Sequence, residues 1–205
     1  DDPCTTTCPT IVEDLYDNAW VEFDGVDDWM SLDDSRFVLA NQFTVSFWMR
    51  SVVGATNQTM FAGVDRNDDS SPGALIEISG AGKARFLYRT TYGGSGGTDL
   101  YGSTNINDGE WHHIVATREW VSIDGVTASI RLFVDGVEEA SAVDDSVNIW
   151  GPNVRIGRFN NSDPRYYEGA IDELLINHLG GVNEAGAQSL MYRTPLTEFD
   201  GTVVG

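Results

Sequence analysis

The sequence predicts an all-β protein in which two antiparallel sheets form a sandwich, and three features favour this fold class. Apolar and polar residues alternate with a period of two in about a dozen short segments, which is the pattern of strands that bury one face. Asp-Gly pairs, which suit the positive φ angles of hairpin turns, occur five times along the chain. No helical periodicity appears before residue 180. Many short strands joined by tight turns pack as two sheets face to face.

The predicted strands are short and rich in β-branched and aromatic residues. In chain order they are Trp20–Phe23, Trp29–Leu32, Phe43–Arg50, Thr59–Val64, Ala74–Ser79, Ala84–Arg89, Leu100–Ser103, Trp111–Glu119, Thr127–Val134, Val137–Ser141, Val154–Gly157 and Ala170–Asn177. Alternation is clearest in FTVSFWMR, where Phe43, Val45 and Phe47 share one face. The segment FVDGVEEA predicts a hairpin whose two-residue turn is Asp135-Gly136.

One short helix is predicted at the C-terminal end of the domain. Residues 181–192 place Val182, Ala185 and Leu190 near helical spacing. Asn183 stands just before this run as a candidate N-cap, since its side chain accepts hydrogen bonds from the first free N–H groups of a helix. The fold is therefore all-β with a single closing helix.

The two ends of the chain differ from its centre in composition. Residues 1–18 are polar and rich in Pro and Thr, and we expect an N-terminal extension or linker there. Residues 193–205 are expected to be a C-terminal linker, which leaves 19–192 as the domain. The two cysteines, Cys4 and Cys8, predict a disulfide that closes a small loop in an exported protein. We expect the chain to be a mature product or a part of a larger protein.

The charge of the chain restricts the classes of partner. Twelve Lys and Arg residues stand against 32 Asp and Glu residues, and the formal net charge is -20. This balance argues against nucleic acid and against anionic membrane surfaces, because their binders neutralise phosphates with basic residues. It is compatible with bound cations and with neutral ligands. No run of about 18 apolar residues occurs, so no membrane insertion is expected.

Six motifs occur in an order that resembles one known family. They are WVEFDGVDDWMSL, FTVSFWMR, DGEWHHIVATRE, IRLFVDGVEEA, VRIGR and YYEGAIDELLIN, the last followed by the short helix. Together they resemble the laminin-G-like domains of the concanavalin A-like lectin/glucanase superfamily, in the branch common in secreted bacterial proteins. The resemblance implies a jelly roll of two curved sheets. It also implies a non-catalytic binding or adhesion module at an extracellular location, frequently with bound calcium.

Acidic residues in the first motif suggest where calcium would bind. Asp24, Asp27 and Asp28 surround a turn, and Ca²⁺ takes six to eight oxygen ligands from carboxylates, carbonyls and water. Asp172 interrupts an otherwise apolar strand, where a charge is costly unless it is paired or ligated. If the first and last strands of the core are neighbours, Asp24 and Asp172 would approach each other. The alternative is that Asp24 makes an Asx turn and Asp172 caps nearby backbone.

A second acidic loop, VDRNDDSSPG, is a candidate for both metal and ligand binding. Asp65 and Asp69 are its predicted metal ligands, and Asp65, Arg66, Asn67 and Asp68 are its predicted ligand-binding residues. The full EF-hand spacing with its distal Glu is missing. A solvated loop without a ligand is the alternative.

A third candidate is the segment RFNNSDPRYYEG, with Tyr92 as an aromatic neighbour from another loop. Its predicted ligand-binding residues are Asn160, Asn161, Asp163, Arg165 and Tyr166. Amides and carboxylates hydrogen-bond sugar hydroxyls, and tyrosine rings pack on the C–H faces of sugars. An ordinary turn is the alternative here too.

Catalysis is not expected. The glucanases that this superfamily includes carry two Glu around an Asp at alternating positions, and neither E-x-D-x-E nor E-x-D-x-x-E occurs. G-x-S-x-G is matched by GGSGG at residues 93–97, but this match lies in a Gly-rich loop after which no helix is predicted, whereas a nucleophile elbow is a strand-to-helix turn. We therefore expect a calcium-assisted carbohydrate-binding module of a larger secreted or cell-surface protein, with a glycan or polysaccharide as partner. A protein-binding adhesion domain, for example for a cell-surface protein, a structural spacer and a polysaccharide-degrading enzyme are the alternatives.

Overall fold

A computed structural model describes residues 8–15, 18–33, 42–52, 56–64, 72–89, 97–121, 127–144, 153–160, 163–177 and 180–191. These ranges contain strands β1 to β13 and one helix, α1. The strands are Thr10–Glu13, Ala19–Asp24, Met30–Asp33, Phe43–Arg50, Gln58–Val64, Pro72–Ile78, Lys83–Tyr88, Thr98–Asn105, His112–Trp120, Ala128–Val134, Val137–Asp144, Asn153–Ile156 and Glu168–Asn177, and the helix is Glu184–Met191. All twelve predicted strands and the predicted helix are confirmed in place.

The strands form two antiparallel sheets. One has seven strands in the order β1-β2-β13-β4-β9-β10-β11, and the other has six in the order β3-β12-β5-β6-β7-β8. The first and last core strands, β2 and β13, are neighbours in the seven-stranded sheet, with Glu168 opposite Asp24 and Ile171 opposite Val21. The jelly-roll sandwich predicted from the sequence is thus the observed architecture.

The core lies between the two sheets and is made by one face of each strand. In β4, Phe43, Val45, Phe47 and Met49 are at most 1% exposed. The Phe43 ring lies 6.2 Å from the Phe86 ring of the opposite sheet, in an edge-to-face arrangement. The intervening residues of β4, among them Trp48 and Arg50, consequently lie on the outer face of the seven-stranded sheet.

Helix α1 covers part of that outer face. Ala187 and Leu190 of the helix pack against Val115 of β9 and Phe133 of β10. Ala185, which was expected on the apolar face, is exposed, because Ala187 and Leu190 form the face of the helix that is buried. This contact lies on β9 and β10, which are on the other side of β4 from β2.

The start of α1 follows the predicted capping. The Asn183 side-chain oxygen accepts a hydrogen bond from the Gly186 N–H at 3.0 Å, which is the bond from an N-cap to the third helical residue. Asn183 is therefore the N-cap of the helix. Within the described ranges, no helix is long and apolar enough to cross a membrane.

The N-terminal boundary of the domain differs from the prediction. Residues 10–13, assigned above to an extension, form β1 and pair with β2 at the edge of the seven-stranded sheet. The strand was missed because it has only four residues, of which three are exposed, so it carries little alternation. Cys4 lies outside the described residues, and the disulfide stays a prediction.

Candidate functional site

Three aspartates predicted as metal ligands lie together after β2. The carboxylates of Asp24, Asp27 and Asp28 offer oxygens that lie within 4.8 Å of one another, and we call this segment the acidic turn. Gly25 permits the turn because its φ of +76° is rarely adopted by residues with a Cβ. The structure thus brings together the three carboxylates that are adjacent in the sequence.

Backbone hydrogen bonds shape the acidic turn. Asp24 Oδ1 accepts from the Val26 N–H at 2.8 Å and from the Asp27 N–H at 3.3 Å, which is an Asx turn. Asp28 Oδ2 accepts from the Asp24 N–H at 3.0 Å. The bond from Val26 lowers the pKa of Asp24, although partial burial opposes it. Burial, and then the charges of Asp24 and Asp27, raise the pKa of Asp28.

The acidic turn has the donor set that a hard divalent cation prefers. Three carboxylates supply oxygen ligands, and Asp28, which is 7% exposed, faces two like charges that a cation would balance. The Asx turn shows that Asp24 also has a structural role, so the two interpretations of this residue are compatible. The residues present fit calcium.

Asp172 does not lie beside Asp24, contrary to the expectation from the sequence. The register of β2 and β13 places Glu168 opposite Asp24, and Asp172 comes four residues later in β13. At roughly 3.3 Å per residue, this separates the two positions by about 13 Å along the strand. Glu168 takes the expected place, because its side chain packs against Gly25 of the acidic turn.

Asp172 belongs instead to a bulge in β13. Pairing with β4 shifts between Asp172 and Leu175, and Glu173 has a φ of +50°. Asp172 Oδ1 accepts from the Glu173 N–H at 2.7 Å, so Asp172 caps nearby backbone, as in the alternative given above. Burial raises the pKa of Asp172, and burial together with the charge of Asp172 raises the pKa of Glu173.

A groove of about 600 Å³ opens beside the acidic turn in the seven-stranded sheet. Its polar lining consists of Glu22, Asp24, Arg50 and Glu168 with Ser51. These residues come from the ends of β2 and β4 and the start of β13, which antiparallel pairing brings to one edge. The volume lies in the range of roughly 300–1,000 Å³ that small-molecule sites occupy.

Hydrogen bonds hold the elements around the groove in place. Ser51 Oγ donates to the Glu168 carbonyl at 2.8 Å, and the Gly109 N–H donates to the Ser51 carbonyl at 2.9 Å. Gly169, with a φ of +147°, passes so close to β4 that a Cβ there would collide with the Arg50 carbonyl oxygen. The groove is therefore preformed by backbone contacts.

Two tryptophans and two charged residues adjoin the groove, and we call them the tryptophan platform: Trp20, Glu22, Arg50 and Trp111. The two indole rings lie 6.1 Å apart, edge to face. The Arg50 guanidinium carbon lies 5.6 Å from the Trp20 ring and 5.0 Å from the Trp111 ring. Glu22 Oε1 accepts from Trp20 Nε1 at 3.0 Å and from Arg50 Nη2 at 3.2 Å. Both rings are partly exposed.

The predicted ligand-binding segment around residue 163 lies elsewhere, over the outer face of the six-stranded sheet. Asn160 is 3% exposed, and its side-chain oxygen accepts from the Asp163 N–H at 2.6 Å. Asp163 pairs with Arg165 at 2.8 Å, and the Tyr166 ring lies 6.0 Å from the Arg158 guanidinium. The described polar groups of this segment thus mostly bond one another.

Arg165 also joins a buried network on that sheet. Glu77 is fully buried and pairs with Arg165 at 2.8 Å and with Arg85 at 2.8 Å. Arg85 in turn pairs with Asp99 at 2.8 Å. Since a buried carboxylate requires such partners, Arg165 has a structural role in the folded chain. Asp65, Arg66, Asn67, Asp68, Asp69, Tyr92 and Asn161 lie outside the described residues, so their predicted roles stay predictions.

Sequence reasoning missed the tryptophan platform and Glu168. A usable signal exists in WVEF, where Trp20 and Glu22 alternate onto one face, and in FWMR, where Arg50 shares the face of Trp48. Aromatic and charged residues at alternating positions on the outer face of a sheet are unusual for a purely solvated surface. Their convergence with Trp111 depends on strand order, which alternation does not reveal.

Solved structures with the same fold include carbohydrate-binding and receptor-binding domains. Domain 4 of the arabinanase AbnA from Geobacillus stearothermophilus, in complex with arabinotriose, is 22% identical, with 89% of this chain and 80% of that one aligned at a TM-score of 0.61. The CBM40 of a Ruminococcus gnavus sialidase, bound to α2,6 sialyllactose, is 13% identical, with 83% and 95% aligned at a TM-score of 0.65. At these identities the likeness establishes the fold alone.

A third structure shows that such domains also occur within longer chains. The binding domain of Paraclostridial Mosquitocidal Protein 1 is 15% identical at a TM-score of 0.65, and 89% of this chain covers 45% of it. The chain thus spans less than half the length of that structure. No curated protein matches the sequence at a significant level.

The family can be assigned from the sequence itself. A laminin G family model, described as concanavalin A-like lectin/glucanases superfamily, matches residues 24–178. This range extends from the acidic turn through β13 and includes strands of both sheets. The chain therefore belongs to the concanavalin A-like lectin/glucanases superfamily, as a laminin G-like domain.

Proposed function

We propose that this chain is a non-catalytic, calcium-assisted carbohydrate-binding module of a larger secreted or cell-surface protein. The observation that carries the proposal is the preformed groove with the tryptophan platform at its side. Indole rings pack on the C–H faces of sugar rings, and carboxylates, a guanidinium and the Ser51 hydroxyl hydrogen-bond sugar hydroxyls. A surface that has polar groups in a groove and indole rings beside it suits a saccharide.

The comparisons support the ligand class. Two structures of the same fold were obtained with arabinotriose and with sialyllactose, so this fold carries saccharide sites in other proteins. We place the ligand in the groove, where partly exposed rings and polar groups converge. The segment that contains Asp163 is a less suitable place, because its side chains bond one another.

Calcium is proposed to bind at the acidic turn. Asp24 belongs both to the turn and to the lining of the groove, so an ion held by Asp24, Asp27 and Asp28 would fix one wall of the groove. The calcium dependence of saccharide binding would then follow from the position of this wall. Direct contact between ion and ligand is not required.

The saccharide test is a glycan array followed by titration calorimetry, each run with calcium and with EDTA. We expect hits that weaken in EDTA and that Trp111→Ala weakens by about 30-fold, the effect of losing a central aromatic contact. Tyr101→Ala is the matched control, because Tyr101 is 52% exposed but lies on the other sheet. It should leave affinity unchanged.

Two outcomes would contradict the saccharide proposal. If no glycan binds in either condition, a protein-binding or spacer role replaces it. If hydrolysis of a bound polysaccharide releases reducing ends, the module is catalytic. Glu22→Gln provides a second, milder variant should Trp111→Ala fail to fold.

The calcium test measures the melting temperature. A ligand that binds only the folded state stabilises it by about 2.7 kcal/mol at 100 times its Kd, so calcium should raise the melting temperature and EDTA should lower it. Asp27→Asn should reduce this response, whereas Glu13→Gln, an exposed change of the same charge on β1, should not. Identical melting curves with calcium and with EDTA would exclude the ion.

A further inference from the structure

We propose that the groove selects saccharides with free amino groups, in their ammonium form, over their neutral and anionic counterparts. This inference rests on the proposed carbohydrate-binding function and names the ligand class for the same groove. The charge of the groove, the partners of its guanidinium and the aromatic surface beside it all favour an ammonium group.

Carboxylates dominate the groove. Glu22, Asp24 and Glu168 line it, and Asp27 and Asp28 lie in the adjoining acidic turn. Among the described residues that line the groove, Arg50 is the only basic one. A divalent ion at the acidic turn would balance two of the five carboxylates and leave negative charge in excess. The sign of the charge therefore does not depend on calcium.

The one guanidinium already has partners within the protein. Arg50 Nη2 lies 3.2 Å from Glu22 Oε1, and the guanidinium rests against both indole rings. In the described part of the chain, Asp24 and Glu168 form no ion pair with a Lys or Arg. A saccharide carboxylate would consequently meet like charges and a guanidinium that is already paired. An ammonium group would instead meet carboxylates that lack a cationic partner there.

The acidic surface continues beyond the groove along β13. Asp172 lies two residues after Ala170, which lines the groove, and thus on the same face. Asp172 and Glu173 are partly buried, and within the described ranges neither carboxylate pairs with a Lys or Arg. A second ammonium group on a longer saccharide would be attracted to this pair.

The tryptophan platform itself shows how the surface accommodates a cation. The Arg50 guanidinium lies against two indole rings and a carboxylate, which is the environment in which cation–π attraction and ion pairing act together. An aminosugar offers the same combination, since its ring presents apolar C–H groups and its ammonium group carries the charge. A neutral sugar uses only the first of these two features.

The test compares three probes against the intact chain by titration calorimetry. They are a glucosamine oligosaccharide, its fully N-acetylated counterpart and sialyllactose, at about pH 6, where sugar amino groups are protonated. We expect the free-amine probe to bind about tenfold more tightly than the acetylated one, and sialyllactose to bind most weakly. Raising the salt from about 0.05 M to about 0.5 M should remove most of this difference.

Substitutions identify the residues that produce the preference for free amino groups. Glu168→Gln should reduce the free-amine advantage by about two- to fivefold, the effect of one exposed ion pair, while Glu184→Gln on α1 should leave it unchanged. Trp111→Ala should weaken both glucosamine-based probes. Equal affinity for these two probes, still lost in Trp111→Ala, would overturn the selectivity but keep the carbohydrate-binding function. If Trp111→Ala leaves binding of the free-amine probe intact, that binding is non-specific charge attraction, and the proposed selectivity of the groove is wrong. If none of the probes binds, both proposals are wrong.

Discussion

His112 and His113 are neighbours in β9 with opposite electrostatic surroundings. His112 lies between two carboxylates, with Nδ1 2.8 Å from Asp135 Oδ2 and Nε2 3.2 Å from Asp108 Oδ1. Burial alone would lower the pKa of His112, but the hydrogen bonds to Asp135 and Asp108 outweigh it and raise the pKa. Burial lowers the pKa of His113 to about 4, and its Nε2 lies 2.8 Å from Ser46 Oγ.

The two histidines predict a stability maximum near pH 6.5. Between about pH 4 and 6.5 the unfolded state binds a proton that buried His113 does not, so the free energy of unfolding rises with pH, by on the order of 3 kcal/mol. Above pH 6.5 the folded state retains a proton on His112 that the unfolded state loses, so the free energy of unfolding falls as pH passes the raised pKa.

Urea denaturation of three proteins across this pH range separates the contributions. The difference between the wild type and His113→Gln should grow from pH 4 to 6.5, because only the wild type has the buried imidazole. The fall above pH 6.5 should disappear in His112→Gln. A wild type whose stability continues to rise through pH 8 would show that His112 does not keep its proton in the folded state.

At the scale of elements, a buried ion pair links four strands of the two sheets. Arg118 of β9 is fully buried and its Nε lies 3.0 Å from Asp144 Oδ2 of β11. Thr98 of the six-stranded sheet donates to Asp144 Oδ1 at 3.2 Å, and the Arg118 guanidinium lies 4.8 Å from the Tyr88 ring. The pair thus joins the two sheets at the end of β4 and β9 that is remote from the groove.

Breaking this pair should be costly, whereas replacing it should not. We expect Arg118→Ala to lower the free energy of unfolding by about 3–5 kcal/mol, because it leaves Asp144 buried without its ion-pair partner. The double variant Arg118→Met/Asp144→Leu should lose much less. Arg131→Ala breaks a longer, half-exposed pair with Glu138 and should cost at most about 1 kcal/mol. Chemical denaturation measures all three, and equal losses in Arg118→Ala and Arg131→Ala would contradict the prediction.

The elements were predictable where alternation is strong and local. β4, β9 and the β10–β11 hairpin follow the period of two, and α1 follows its N-cap. The bulge at Glu173 was not predictable, because Glu173 adopts a φ of +50° that no sequence signal marks. The register of β13 against β2 decides that Glu168, and not Asp172, lies beside the acidic turn. Short-range patterns contain no information on register between distant strands.

For the whole molecule, the fold was predictable and the site only in part. The acidic turn is a local cluster, so its three carboxylates were identifiable from FDGVDD. The tryptophan platform unites residues of β2, β4 and the segment before β9, which are far apart in the chain. Their proximity follows from the strand order β2-β13-β4-β9. The tryptophan platform is thus a product of topology, which periodicity alone does not determine.

The tryptophan platform has an optical consequence. Trp20 and Trp111 are two of the six tryptophans of the chain, and a guanidinium and a carboxylate lie against them. The emission of an indole depends on the charges and the water molecules around it. We expect a molecule bound in the groove to change the water beside both rings and the field of Arg50 and Glu22. The tryptophan emission should therefore report occupancy of the groove without any label.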